Sequence, residues 1–230
     1  MTAPPPISVE SLFSVKGLVA LITGGGTGIG LMMARALADA GAARVYILGR
    51  RVDVLQHAAA AINRPSVVVP LYCDVTSKVS LEAVVSVVET DVGYLNLLVC
   101  NAGIGGPQVK PPVVEGQEGG QGTTASLEEW RARQMAGDFE EWTNTFRVNG
   151  TAVWFTAMAF LGLLDRGNKR NAELRLEGGG TGVSSQVVVT SSIAAFNKEA
   201  PGGAAYGASK AAATHIAKML SVVLPQWGIR

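Results

Sequence analysis

Tyr206 and Lys210 stand four residues apart in "YGASK", with only small residues between them. On a helix that spacing puts both side chains on one face. A free phenol titrates near ~10, so at neutral pH it is a poor acid or base. A neighbouring ammonium favours the phenolate, and the pair could form a tuned proton donor and acceptor. It could equally be a packed tyrosine beside a solvated lysine. The five residues alone leave both readings open. A second stretch with chemical content is "TGGGTGIG", Thr23 to Gly30. Glycine serves where a backbone turns tightly and must come close to a pyrophosphate. A helix that starts in such a turn aims free N–H groups and a positive dipole end at phosphate. The bland alternative is a strand-to-helix turn with no ligand. A third stretch is "LGRR", where Arg50 and Arg51 follow the glycine turn by about 20 residues. An acidic residue there would bond a ribose 2′-hydroxyl, and an arginine would take a 2′-phosphate by two charge-assisted hydrogen bonds. No carboxylate occupies the position, which points to NADP(H). The competing reading is two solvated arginines at a helix start.

These groups need elements to hold them. Apolar, β-branched runs predict five strands: "GLVALIT" (17–23), "ARVYILG" (43–49), "PSVVVPLYC" (65–73), "NLLVC" (96–100) and "QVVVTS" (186–191). They are apolar throughout rather than alternating, as a parallel sheet covered on both faces requires. Helical segments lie between them. Residues 29–40 repeat apolar positions at Ile29, Met33, Ala36, Leu37 and Ala40, then stop at Gly41, a plausible left-handed cap. Residues 149–165 carry Val153, Trp154, Ala157, Phe160, Leu161 and Leu164. Residues 206–224 carry Ala213, Ile216, Ala217, Leu220 and Leu224. The alternation predicts an α/β fold, a Rossmann-like doubly wound parallel sheet. An N-terminal extension, 1–14, precedes a single dinucleotide-binding domain at 15–230. Two stretches break the rhythm. Residues 105–125 are rich in Gly, Pro and Gln and predict a loop, after which Ser126 and Glu129 form a capping-box pattern. Together they make an insertion over about 105–138. Residues 165–185 predict a polar connection before the last strand.

Composition narrows the field. The chain has 230 residues, 48% hydrophobic and 16% charged, with net charge +1. That balance gives no electrostatic footprint for nucleic acid or an anionic membrane surface. No stretch approaches the roughly 20 apolar residues of a membrane span. The start, "MTAPPPISVESLF", shows no signal-peptide pattern, and "GIR" is not a peroxisomal tripeptide. Cys73 and Cys100 lie in apolar runs and read as buried thiols in a reducing cytoplasm rather than a disulfide. His57 and His215 stand alone on helices, and no Cys/His cluster suggests a metal.

The spacing Gly24–Gly28–Gly30 matches T-G-x-x-x-G-x-G, and further signals follow in chain order: "CDVT" with Asp74, "NAG" at 101–103, Asn149 in "FRVNG", Ser192 in "VVTSS", and Tyr206-x-x-x-Lys210. In this the chain resembles the short-chain dehydrogenase/reductases, from about residue 15 to the end. The resemblance implies strand order 3-2-1-4-5. It implies an enzyme that passes a hydride between NADP(H) and a ketone, aldehyde or alcohol of small-molecule size. Tyr206 would be the acid/base. Lys210 would assist it and bond the nicotinamide ribose, Ser192 would polarise the substrate oxygen, and Asn149 would hold a water leading from the lysine to solvent. Ser191 competes for the polarising role, although Ser192 aligns better. Cofactor contacts would come from Gly24, Gly26, Thr27, Gly28, Ile29 and Gly30, from Arg50 and Arg51, from Asp74 and Val75, and from Asn101, Ala102 and Gly103, with Tyr206 and Lys210. Helices 149–165 and 206–224 would build a homodimer or homotetramer.

One departure is expected. The chain stops at "LPQWGIR", where the family's sixth strand begins. About 30 or more residues would be needed for two further strands and their connection. The fifth strand would then be an uncovered sheet edge. A second reading follows: a truncated, catalytically weak or inactive NADP(H)-binding protein that acts as scaffold or partner subunit.

Overall fold

Val19–Thr23 forms β1, and every residue of it is buried. A strand buried on both faces must be apolar at each position, which explains the unbroken run "VALIT". β2 (Arg44–Gly49) is equally apolar and pairs with β1 in parallel, with Leu21 opposite Tyr46. β3 (Val68–Tyr72), β4 (Leu97–Cys100) and β5 (Gln186–Val189) complete a five-stranded parallel sheet of order 3-2-1-4-5. This is the doubly wound arrangement expected from the alternation of elements. The computed structural model describes residues 15–109, 126–176, 184–199 and 202–230. The expected extension at 1–14 lies outside the described residues, as do 110–125 of the insertion and 177–183 of the polar connection.

Helices cover both faces. α1 (Gly28–Asp39), α2 (Val52–Ile62) and α3 (Lys78–Asp91) follow the first three strands. The face that α1 buries differs from the one expected. Gly30, Ala34 and Ala38 point at the sheet, whereas Ile29 is exposed. Small residues let the helix backbone lie close to the strands, and close approach outweighs side-chain size there. Gly41 ends the segment with φ +96°, as its sequence position predicted.

α4 (Leu127–Met135) opens with the expected capping box, Ser126 and Glu129 bonding each other's backbone N–H. α5 (Phe139–Phe146), a π-helical turn (Arg147–Thr151) and α6 (Ala152–Leu176) run on continuously. Two expectations change here. Asn149 does not open a long α-helix but lies within the π turn. The helix also continues 11 residues past Asp165 into the stretch read as a polar connection. Tertiary anchors explain the extension. Arg166 binds Glu89 and Gly93 O, while Asn168 Nδ2 donates to Trp227 O and Gly228 O and its Oδ1 accepts from Ser185 N. The run 139–174 is also long and apolar enough, by composition, to cross a membrane, with mean hydropathy 1.3 over its best window. No such stretch was expected. With 56% of that window buried inside the fold, it has the character of a core helix.

α7 (Ala204–Val223) packs Ala213 and Leu220 inward, on the predicted stripe. The chain then turns through Leu224–Trp227 and reaches the free edge of β5. Arg230 N donates to Ser185 O, and Val187 N donates to Arg230 O. The edge expected to be uncovered is thus bonded only around Gln186, and β5 stays the end strand of the sheet. Ile229 is buried beneath it.

Candidate active site

The carboxyl ends of β1, β2, β4 and β5 open into a cleft of about 830 Å³. In doubly wound sheets this end, where the strand order reverses, is where ligands sit. At the β1 end the chain turns through Gly24, with φ +67° and Ala102 Cα 3.0 Å from where a Cβ would stand. Gly28 starts α1 with φ +53°, and nothing lies within 4 Å of its Cβ position. The backbone there is open to close approach. Gly28 itself is not among the lining residues, and Gly30 does not line the cleft either. A Cβ on it would strike Gly24 O and lie 2.6 Å from Asn101 Nδ2, so its role is helix-to-turn packing.

Gly24, Gly26, Thr27 and Ile29 line one end of the cleft, together with Arg50, Arg51, Asp74 and Val75. Among the described residues neither arginine has a carboxylate within ion-pair distance. Burial pushes the Asp74 carboxyl up. Hydrogen bonds from Thr76 Oγ1 and N, with the charge of Arg50, outweigh burial and hold it below its ordinary value. Asn101, Ala102 and Gly103 form the middle. Thr23 Oγ1 accepts from Asn101 N and Ala102 N, and Asn101 Nδ2 donates to Thr23 O. The end of β1 thus positions the end of β4. Thr23 was quoted in the glycine motif but not singled out for this.

At the far end stand Ser192, Tyr206 and Lys210. Lys210 is 5% exposed, and its Nζ donates to Thr190 O at 2.7 Å. Burial holds its ammonium below the ordinary lysine value. Its Nζ lies 6.0 Å from the centre of the Tyr206 ring. The two hydroxyls that competed in sequence now differ. Ser191 Oγ is 2.5 Å from Thr214 Oγ1, which in turn donates to Lys210 O. Ser192 Oγ accepts from Ala194 N at 3.2 Å and keeps its own proton for another acceptor. Asn149 is fully buried and does not line the cleft. Its Oδ1 accepts from Ile104 N, and its Nδ2 donates to Ile104 O and Ser209 Oγ. Both amide protons are therefore engaged, and one lone pair of Oδ1 is left for a water. Sequence reasoning missed Ile104, Gln108, Val148 and Thr190 as lining residues. Thr190 adjoins Ser191, a usable signal; Gln108 carried none.

The residues present fit a dinucleotide. The turn is open at Gly28, Arg50 and Arg51 line the cleft with no carboxylate within ion-pair distance among the described residues, and the cleft volume lies within the ~300–1,000 Å³ of ligand sites. Among the described residues no group of side chains could hold a metal ion. A parallel 3-2-1-4-5 sheet with a glycine turn at one end of its cleft and a Tyr/Lys pair at the other defines the dinucleotide-binding oxidoreductase class.

Comparison with known proteins is specific. The profile described as short chain dehydrogenase matches residues 18–230. The short-chain dehydrogenase/reductase PhomF of Diaporthe leptostromiformis is 40% identical over 98% of this chain and 71% of its own length. The short-chain dehydrogenase/reductase SAT3 of Stachybotrys chartarum is 41% identical over 86% of this chain and 71% of its own. A crystal structure of a short-chain type dehydrogenase/reductase from Mycobacterium marinum superposes with TM-score 0.74 at 28% identity, over 97% of this chain and 76% of that one. The chain belongs to the short-chain dehydrogenase/reductase family.

Proposed function

We propose that this protein is an NADP(H)-dependent oxidoreductase that reduces a ketone or aldehyde, or oxidises the corresponding alcohol. One observation carries the reading: the glycine turn, the Arg50/Arg51 pair and the Ser192/Tyr206/Lys210 set open into one continuous cleft. When bound, NADPH supplies a hydride to the carbonyl carbon. Everything else falls to the chain. The α1 N-terminus and its turn would hold the diphosphate, and Arg50 and Arg51 would grip the 2′-phosphate. Asp74 and Val75 would hold the adenine end, and Asn101, Ala102 and Gly103 would lie beneath the centre. As the carbonyl carbon gains the hydride, its oxygen gains charge and takes the Tyr206 proton. Ser192 donates to the same oxygen. Lys210, with two N–H groups beyond its bond to Thr190, steadies the phenolate left behind and bonds the ribose. Asn149 clamps Ile104 and leaves Oδ1 for a water on the path by which the proton is replaced.

Exposed Trp154 and Phe155 on α6 and Met219 and Val222 on α7 support association of like chains through these helices. Two free, buried cysteines support a cytoplasmic setting.

NADPH fluorescence titration and a ketone-dependent NADPH oxidation screen test the reading. Tyr206→Phe is expected to lower kcat by about 10²-fold or more with NADPH affinity unchanged. Tight NADPH binding by the wild type without turnover of any ketone would favour the non-catalytic alternative.

A further inference from the structure

The segment from Ile104 to Gln108 is held more closely than a connecting loop requires. Asn149 fixes both backbone groups of Ile104. Gly106, with φ +69°, lies against Thr145, where a Cβ would strike the hydroxyl. Gly203, with φ +88°, would place a Cβ 2.5 Å from Pro107 O and 3.4 Å from Gln108 Cα. Gly203 caps α7 three residues before Tyr206. Two positive-φ glycines that tolerate no side chain thus let this segment lie on the first turn of the helix carrying the acid/base. Gln108 lines the cleft at that end, and its Nε2 is 3.4 Å from the Cβ position of Gly105.

The polar groups around it have partners. Thr190 Oγ1 donates to Asn101 Oδ1, and Ser191 bonds Thr214. Ser192, Tyr206 and Lys210 serve the reacting oxygen in the reading above. Gln108 is exposed at the cleft, and its carboxamide has no hydrogen-bond partner among the described residues, so it is open to a ligand. A carboxamide both donates and accepts, so it matches a hydroxyl or a carbonyl equally.

We infer that Gln108 is the specificity-determining residue of the substrate end, and that the site takes a carbonyl compound bearing a second oxygen function away from the reacting carbon. The inference rests on the reductase reading. An alkyl group at that point would cover the amide and leave it unpaired, which a site built to hydrogen-bond an oxygen penalises.

The test compares cyclohexanone with cyclohexane-1,4-dione in the wild type and in Gln108→Met, an apolar substitution of similar length. The ratio of kcat/KM, dione over monoketone, is expected to fall about tenfold or more in the variant, carried by KM, with NADPH affinity unchanged. The same ratio is read as dissociation constants by ligand-observed NMR on the NADP+ complex, whether or not turnover occurs. Absence of turnover by the wild type would sink the reductase reading, and the binding ratio would still decide Gln108. An equal ratio in the two proteins, or no detectable binding of the dione, overturns the inference.

Discussion

Replacing Asn149 with alanine removes three hydrogen bonds at once: Ile104 N to Oδ1 at 2.8 Å, Nδ2 to Ile104 O at 2.9 Å and Nδ2 to Ser209 Oγ at 3.0 Å. Each is worth about 1 kcal/mol net, and more where the abandoned partner stays buried. Ser209 is fully buried, whereas cleft water can reach Ile104. The expected loss is therefore about 3 kcal/mol, from three bonds at the net value. For a domain of this size that lowers Tm by about 6–12 °C. Asn149→Asp separates bonding from volume. It keeps an acceptor for Ile104 N but turns acceptor lone pairs toward Ile104 O, so its loss should equal or exceed that of the alanine variant.

Ser209→Ala gives the second arm. Ser209 Oγ donates to Tyr206 O, so Asn149, Ser209 and the Tyr206 backbone form one chain of bonds. The double variant should lose less than the sum of the singles, with a coupling of about 0.5–1 kcal/mol. Urea unfolding and calorimetry read the stability, and NADPH oxidation reads the chemistry. Because Gly103 abuts both Asn149 Oδ1 and Lys210 Nζ, kcat should fall more than NADPH affinity. A Tm change under about 2 °C in Asn149→Ala would refute the argument that this amide holds the reaction end together.

Arg50→Ala should raise the NADPH dissociation constant about tenfold or more while NADH changes by less than about twofold, as two charge-assisted bonds to a 2′-phosphate require; equal losses for both, by fluorescence titration, would overturn the cofactor assignment. Gly30→Ala drives a Cβ into Gly24 O and to 2.6 Å from Asn101 Nδ2, and should cost about 1–3 kcal/mol in urea unfolding. Burial pushes the thiols of Cys73 and Cys100 up from their ordinary 9.0, to about 11 and about 12. Both folded values exceed the unfolded one, so their contribution is full below pH 9 and is lost as pH rises toward 11–12. The urea midpoint should therefore fall less steeply above pH 9 in Cys73→Ala or Cys100→Ala than in the wild type, and parallel curves would refute the assignment.

The glycine-turn end of the cleft was legible because local rules build it. A fully apolar strand, a glycine turn and a helix start are encoded within about a dozen residues, and the arginines sit one strand further on. The burial of α1 was misread at Ile29, since a stripe of apolar residues marks a face only when packing rewards bulk, and here closeness to the sheet won. The long helix was cut short for a related reason. Its polar stretch from Asp165 carries no apolar pattern, yet Arg166 and Asn168 tie it to Gly93 and Trp227, residues distant in sequence. α5 left a readable signal that went unused: Asp138 caps it by accepting from Glu140 N, three residues before Glu141, in the pattern that opens helices.

The Tyr206/Lys210 end is different in kind, because nothing local determines it. Tyr206 and Lys210 are fixed on one face by helical spacing, but their relation to the cleft depends on bonds that span long sequence distances. Lys210 reaches back 20 residues to Thr190 O, and Asn149 reaches 45 residues to Ile104 and 60 residues to Ser209. Asn149 makes the last pair from within the π turn. One extra residue in the helical turn shifts a side chain from the position a regular α-helix would give it, and such turns recur at functional sites for that reason. Sequence periodicity cannot announce the insertion, since α5 and α6 each keep ordinary helical patterns on either side. The chain thus places its glycine turn by near-neighbour chemistry. It places Tyr206 by a three-way lock of Asn149, Ser209 and the Ile104 backbone, and that lock ties a buried amide outside the cleft to residues that line it.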